Sequence, residues 1–201
     1  MAKIINGQLS GLLGAVVAVR TKNGAVLRSA PRERRKWSFK QQQTWKRFLA
    51  LTNLWNLFKY TQVQKIWKIA DRGGRGINLF IQTNMPAFGT EGELMEVEKL
   101  HFSAGKLPLP HYFTAVKNNP GEIKVSWDPD RQPGEGRGDD LLMMQAVQDE
   151  KFSIPVNTGV QRKSGSAVLQ LPEGLENSQG VYLSFANEQR EMYSEDQYFG
   201  W

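Results

Sequence analysis

The second half of the sequence is a succession of short apolar segments separated by residues that favour turns. Turn signals include Asn118-Asn119-Pro120-Gly121 and the stretch 172–180. Short strands at this spacing are typical of a β-sandwich. Segment 122–127 alternates apolar and polar residues, which predicts that Ile123, Val125 and Trp127 share the inner face. The predicted strands are 94–102, 112–117, 122–127, 141–148, 166–171, 181–187 and 193–199.

One pair of these segments resembles a known module. Leu169-x-Leu171-Pro172, followed by an apolar strand at 181–186, is similar to a strand pair of fibronectin type III modules. The strand that carries Trp127 adds to the resemblance. We therefore expect residues 91–201 to form an acidic Ig/fibronectin-III-like β-sandwich, and the whole chain to have an α+β fold.

The first 90 residues follow two other patterns. Two β-prone runs flank Thr21-Lys22-Asn23-Gly24, and Asn-Gly between such runs is a strong hairpin signal. From residue 38 the apolar spacing becomes helical. We expect a helix from about residue 39 to 70 with a break near 59–62, and a short helix at 77–84. Residues 1–90 are thus predicted to be a basic β-hairpin plus a helical region. The residues predicted to share one apolar helix face are Trp45, Phe48, Leu49, Thr52, Trp55 and Phe58.

The charges are divided unevenly along the chain. Residues 1–86 hold 16 Lys/Arg against two acidic residues, a net charge of +14, whereas residues 87–201 have a net charge of −8. A basic region of this kind binds nucleic acid or another anionic surface. It can equally bind the acidic part of a second copy, head to tail.

The composition excludes several kinds of site. The chain has no cysteine, so disulfides, cysteine nucleophiles and thiolate metal sites are ruled out. Its two histidines, His101 and His111, have no metal-ligand motif around them, and we interpret them as exposed or hydrogen-bonded side chains. The longest apolar run, 12–19, is too short to span a bilayer, and no cleavable signal peptide is evident. We expect no catalytic residue, cofactor or resident metal.

The acidic residues leave one alternative open. Asp128, Asp130, Glu135, Asp139 and Asp140 surround a turn rich in proline and glycine. The main interpretation is a solvated loop between strands, and the alternative is a weak Ca²⁺ site, because Ca²⁺ binds several carboxylate and carbonyl oxygens.

A cationic segment at 32–47 supports the alternative function, nucleic-acid binding. Lysine and arginine neutralise phosphates, and interleaved tryptophans can stack on bases. Trp45 fits the apolar helix face, whereas Trp37 precedes the helix and fits either role. The candidate polyanion contacts are Arg32, Arg34, Arg35, Lys36, Trp37, Lys40 and Arg47.

Several short motifs together resemble a family of uncharacterised Bacteroidota proteins. They are the glycines Gly7, Gly11 and Gly14 before Val16-Val17, then Leu27-Arg28-Ser29-Ala30-Pro31, Gln41 to Gln43 with Arg47-Phe48, Gly105-Lys106-Leu107-Pro108, and Tyr198-Phe199-Gly200. The chain departs from the family at Lys22-Asn23-Gly24 and at Trp37-Ser38-Phe39-Lys40. The resemblance implies the hairpin, helix and sandwich architecture and implies no activity.

These features predict a non-catalytic structural or assembly protein. The chain is expected to associate with copies of itself, or with a larger virion-like or filament-like particle, through its N-terminal region. In the first strand apolar residues occupy both alternating positions, so both faces of the sheet need cover. The expected location is the cytoplasm or the interior of an assembled particle. The candidate interface residues are Leu12, Leu13, Val16, Val17 and Val19.

Overall fold

The protein consists of two compact units, Met1–Phe39 and Lys40–Trp201. The structure, a computed structural model, describes residues 3–5, 8–21, 24–30, 36–129 and 137–201. The expected α+β class is confirmed, with three helices and several antiparallel sheets. The division predicted between residues 90 and 91 does not coincide with the boundary between the two units.

The first unit contains a four-stranded antiparallel sheet whose strand order follows the chain. Its strands are β1 (Lys3–Ile5), β2 (Gln8–Leu13), β3 (Val16–Thr21) and β4 (Gly24–Ser29). The hairpin predicted at Asn-Gly is confirmed, because Thr21 pairs with Gly24 and Val19 with Val26. Lys22 and Asn23 themselves lie outside the described residues. At the β2–β3 turn Gly14 has a φ of 59°, a left-handed conformation that favours glycine.

The second unit begins with three helices at the predicted positions. They are α1 (Phe39–Leu57), α2 (Gln62–Ala70) and α3 (Ile77–Asn84). The predicted break between the first two is confirmed, since Tyr60 adopts a left-handed φ of 65°. Between α2 and α3, Gly76 also has a left-handed φ, and a Cβ there would lie 2.8 Å from backbone atoms of Trp67 and Lys68. Glycine at residue 76 therefore lets the chain turn tightly back along α2.

The face that α1 buries differs from the predicted one. Leu51, Leu54, Trp55 and Phe58 are buried, which confirms the prediction for Trp55 and Phe58. The other large apolar residues of the predicted face, Trp45, Phe48 and Leu49, are exposed. Both sets follow three- and four-residue steps, so α1 carries two neighbouring apolar stripes. The helical core covers one stripe, and Trp45, Phe48 and Leu49 form what we call the open stripe.

Two further antiparallel sheets follow the helices. One has the strand order β10-β6-β5, and the other has the order β12-β11-β7-β8, with β9 also pairing with β7. The predicted strand at 94–102 is wrong, because residues 97–99 form a 3-10 turn and Leu94 makes an isolated bridge. Strand β9 was missed. The strands are β5 (Thr114–Asn119), β6 (Glu122–Ser126), β7 (Leu141–Gln148), β8 (Lys151–Phe152), β9 (Val156–Gln161), β10 (Ser166–Gln170), β11 (Gly180–Ala186) and β12 (Gln197–Gly200).

Strands β7 and β11 are buried on both faces. Alternate residues on one face share an apolar cluster with Ile123 and Val125 of β6, and with Trp127, which confirms the predicted inner face. On the opposite face, Val147 and Tyr182 belong to the cluster formed by the three helices. The helices therefore share a core with the sheet, which explains why no compact unit ends near residue 90.

Candidate functional site

The predicted interface residues lie on the two inner strands of the N-terminal sheet. Leu12 and Leu13 are in β2, and Val16, Val17 and Val19 are in β3. Leu13 is placed through its backbone, paired with Val16. The prediction that residues 12–19 belong to one strand is wrong, because Gly14 and Ala15 form a turn between β2 and β3. The role of these residues as an interface stays a prediction.

The pairing register assigns the side chains of this sheet to two faces. Directly opposed residues of an antiparallel pair share a face. Leu12 opposes Val17, and Val19 opposes Val26. On the other side, Ala18 opposes Leu27, and Val16 is on the same face because it is two residues from Ala18. The first face consists of Leu12, Val17, Val19 and Val26, and the second face consists of Val16, Ala18 and Leu27.

Both faces leave apolar side chains open to solvent. On the first face Leu12 and Val26 are 48% and 52% exposed, and on the second face Leu27 is 65% exposed. Among the side chains described between residues 11 and 30, Ala18 alone is buried. The described part of this sheet thus lacks the buried apolar layer that normally stabilises a small sheet.

The structure brings together only part of the predicted cationic segment. Arg32, Arg34 and Arg35 lie outside the described residues, and Lys36, Trp37 and Lys40 are exposed. Arg47 is half-buried, and its Nε donates to the carbonyl oxygen of Gly89 at 3.0 Å. One of the N–H groups of the Arg47 guanidinium is therefore used to hold the loop after α3. The nucleic-acid alternative stays a prediction.

A histidine–aspartate pair joins two distant parts of the second unit. His101 Nδ1 lies 2.8 Å from Asp196 Oδ1. Asn84 fixes the backbone around this histidine, because its Oδ1 accepts from His101 N at 2.6 Å and its Nδ2 donates to His101 O at 3.0 Å. The imidazole is therefore anchored through its ring and through its main chain.

Asp196 is buried and its two oxygens are fully engaged. Oδ2 accepts from the backbone N–H groups of Phe102 and Ser103, at 2.6 and 3.0 Å, while Oδ1 faces His101. The hydrogen bond with Asp196 raises the pKa of His101 above its usual value, although partial burial of the ring opposes this shift. Because Nδ1–H points to the carboxylate, Nε2 is the ring nitrogen that is available to act on another molecule.

Two hydroxyl groups near the pair are used within the fold. Ser103 and Tyr193 line the same cavity as His101. Ser103 Oγ donates to the carbonyl oxygen of Ser194 at 2.7 Å, and Tyr193 Oη donates to that of Arg190 at 3.0 Å. Neither hydroxyl is hydrogen-bonded to the imidazole as a nucleophile would be in a catalytic triad.

The acidic loop is described at its two ends. Asp140 is buried, and burial raises its pKa although its carboxylate accepts from Arg137 N at 2.8 Å. Asp130 and Glu135 lie outside the described residues. Within the described residues, no group of three His, Asp or Glu side chains is placed to hold a metal ion.

No sequence motif marks the His101–Asp196 pair. The two residues are 95 positions apart, and Asp196 has no motif around it. The interpretation of His101 as a hydrogen-bonded side chain is confirmed, but its partner and its cavity depend on how the chain returns after β11.

No helix in the described ranges is long and apolar enough to cross a membrane. No family model, curated protein or solved structure matches the chain.

Proposed function

We propose that the chain is a non-catalytic assembly protein that associates with copies of itself, in a virion-like or filament-like particle, through its N-terminal sheet. The observation that carries this proposal is the exposure of apolar side chains on both faces of that sheet. An isolated small sheet needs a packed layer for stability, and a second chain can supply it.

The edges of the sheet support the same function. Strand β4 is an edge strand, and its side chains from Ala25 to Ser29 are exposed. An exposed edge strand with apolar residues pairs readily with another chain. Val26 and Leu27 point to opposite faces of this strand, so a neighbouring copy that covers either face also buries a large apolar side chain.

The open stripe of α1 adds a second apolar surface. The rings of Trp45 and Phe48 stack with centroids 5.8 Å apart, and Leu49 extends the same stripe. Exposed apolar patches that contain aromatic residues are typical of protein interfaces. This surface gives the second unit an apolar contact of its own for another chain.

The uneven charge distribution supports a head-to-tail arrangement of copies. The basic first part of one chain, with a net charge of +14, would attract the acidic remainder of another, with −8. Such heterologous contacts build rings or filaments. Electrostatic attraction would speed the encounter at low salt, and apolar burial would set the final stability.

The strand order supports a finer assignment of the fold. Strands β5, β6 and β10 form one sheet, and β7, β8, β9, β11 and β12 form the other; two antiparallel sheets with this order of pairing support a fibronectin-type-III/Ig-like sandwich. We infer that this sandwich is the scaffold that presents the helices. Membership of the Bacteroidota family is proposed on the motifs given above.

Sedimentation velocity of the intact chain tests the assembly function. Wild type is expected to sediment as a species larger than the 22.8 kDa chain. Leu12→Asp places a charge on the first face and should yield the monomer. Asn118→Asp adds the same charge to an exposed residue of the second unit, outside the sheet, and should assemble as wild type does. A monomeric wild type, or equal behaviour of the two variants, would contradict the proposal.

A further inference from the structure

A cavity of about 500 Å³ lies in the second unit, beside the His101–Asp196 pair. It is bounded by the end of α2, by α3, and by the segments 101–106 and 191–195. Its volume falls within the range of about 300–1,000 Å³ that is typical of small-molecule sites. The cavity plays no part in the assembly function proposed above.

The lining of the cavity combines apolar and charged side chains, and backbone contacts hold part of it in place. Ile69, Leu79 and Met192 supply apolar side chains to the lining. On one side, Leu107 N donates to Tyr193 O at 3.0 Å. A Cβ on Gly105 would lie 2.0 Å from the same carbonyl oxygen, so only glycine allows the two segments to approach this closely. The wall formed by these two segments is therefore preformed rather than assembled around a ligand.

His101 supplies the fixed polar group of this cavity. Its Nδ1 is occupied by Asp196, and the carboxylate charge of Asp196 is neutralised by the ring and by two backbone N–H groups. The side chain of His101 is 37% exposed, so Nε2 can be reached from the cavity. A protonated ring presents Nε2–H as a charged donor.

The other charged groups of the lining balance one another. Arg72 and Lys106 carry positive charge, and Glu191 and Glu195 carry negative charge. All four side chains are exposed, so solvent screens them strongly. The C-terminal turn of α2 contributes little negative electrostatic potential to the cavity, because the carbonyl oxygens of residues 67–69 already accept backbone hydrogen bonds. Since Asp196 lies on the Nδ1 side of the ring, Nε2–H of the protonated ring is the fixed charged donor that the cavity offers.

We propose that this cavity binds a small organic carboxylate with an apolar body. The carboxylate accepts a hydrogen bond from His101 Nε2, and the apolar body packs against Ile69, Leu79 and Met192. Asp196 holds the ring so that Nε2 faces the ligand, as a positioning residue does. An amide of the same shape loses the charge-assisted bond, and an amine places a cation beside the imidazolium.

Three probes that share one apolar body test this proposal on the intact chain. Indole-3-acetate, indole-3-acetamide and tryptamine are anionic, neutral and cationic near pH 6. Each is titrated to about 5 mM while the amide and histidine-ring NMR signals of the protein are followed. The acetate is expected to bind most tightly and to shift signals of segments 101–106 and 191–195. Absence of binding by the acetate, or equal binding of all three probes, would overturn the proposal.

A histidine pair provides the matched control. His101→Gln should weaken binding of indole-3-acetate by about tenfold, the change expected for one charge-assisted hydrogen bond. His111→Gln alters the exposed histidine outside the cavity and should leave the affinity unchanged. If His101→Gln binds as wild type does, or if both variants weaken binding equally, the proposal is wrong.

The pH dependence of the wild type gives a second readout that needs no variant. Above the raised pKa of His101 the ring is neutral, and Nδ1–H stays directed at Asp196. Nε2 is then an acceptor that repels a carboxylate. Affinity for indole-3-acetate should therefore fall as the pH rises from about 6 to 8.5, while that for the acetamide changes little. An affinity for the acetate that stays constant over this range would contradict the proposal.

Discussion

Replacing Asp196 by asparagine should destabilise the second unit, because this buried carboxylate closes the C-terminal segment onto the segment after α3. Asparagine has the same shape and keeps an oxygen that can accept from Phe102 N and Ser103 N. What it loses is the negative charge in those two bonds and in the bond with His101.

The expected magnitude follows from the number of bonds affected. A hydrogen bond to a charged group contributes about 1.5–3 kcal/mol, and a neutral one about 0.5–1.5 kcal/mol. Loss of the charge therefore costs about 1 kcal/mol for each of the three bonds, or about 3 kcal/mol in the free energy of unfolding. For a chain of this size such a loss lowers Tm by about 6–12 °C.

Urea and thermal unfolding followed by far-UV circular dichroism measure this change. Glu195→Gln is the matched control, since it removes an exposed carboxylate one residue away and should change the free energy of unfolding by less than about 0.5 kcal/mol. If Asp196→Asn is as stable as the control, the charge of the carboxylate does not stabilise this contact.

Three further predictions concern the surroundings of the His101–Asp196 pair and the N-terminal sheet. Because the pKa of His101 is raised by Asp196, the stability from this pair is fully present below the unfolded pKa of about 6.5 and is lost as pH rises through the folded pKa. His101→Gln should therefore destabilise the protein more at low pH than at high pH in urea unfolding. Gly105→Ala should lower stability by about 1–3 kcal/mol through overpacking, seen as a lower Tm. Val26→Asp and Leu27→Asp place one charge on opposite faces of edge strand β4, and light scattering should show weaker assembly in both variants, because association buries both faces; wild-type assembly of either would contradict this.

Local sequence patterns were sufficient to predict many of the helices and strands of the second unit. The run at 141–148 was predicted with the bounds that β7 has, and the helix break and α3 were confirmed. These features depend on spacing within a few residues, which a sequence displays directly. Strand β9 was missed because Asn157, Thr158 and Gly159 interrupt its apolar alternation.

The misassigned features depend on partners that are distant in the sequence. Helix α1 carries two apolar stripes, and spacing alone does not say which of them the core covers. The segment 94–102 has strand-like composition, but Asn84 and Asp196 bind its backbone with side-chain atoms. The backbone N–H groups of His101 and Phe102 thus have hydrogen-bond acceptors without a neighbouring strand.

The candidate sites were predictable to different degrees. The apolar character of the N-terminal sheet could be read from residues 12–19, but the turn at Gly14 and Ala15 that divides them between β2 and β3 was not predicted. The cavity beside His101 could not be read in this way, because it forms where residues 67–72, 79–83, 101–106 and 191–195 meet. No local motif marks a site whose parts come from four separated segments.

The N-terminal sheet is proposed to reach its stability against another chain, and amide hydrogen exchange of the intact protein at ~1 µM and ~100 µM measures this most directly. Protection of β2, β3 and β4 should rise with concentration, because association buries both faces of the sheet. Protection of β7 and β11, which are buried within one chain, should stay constant and serves as the internal reference. Strong protection of the sheet that is equal at both concentrations, in a protein that remains monomeric, would contradict the assembly function.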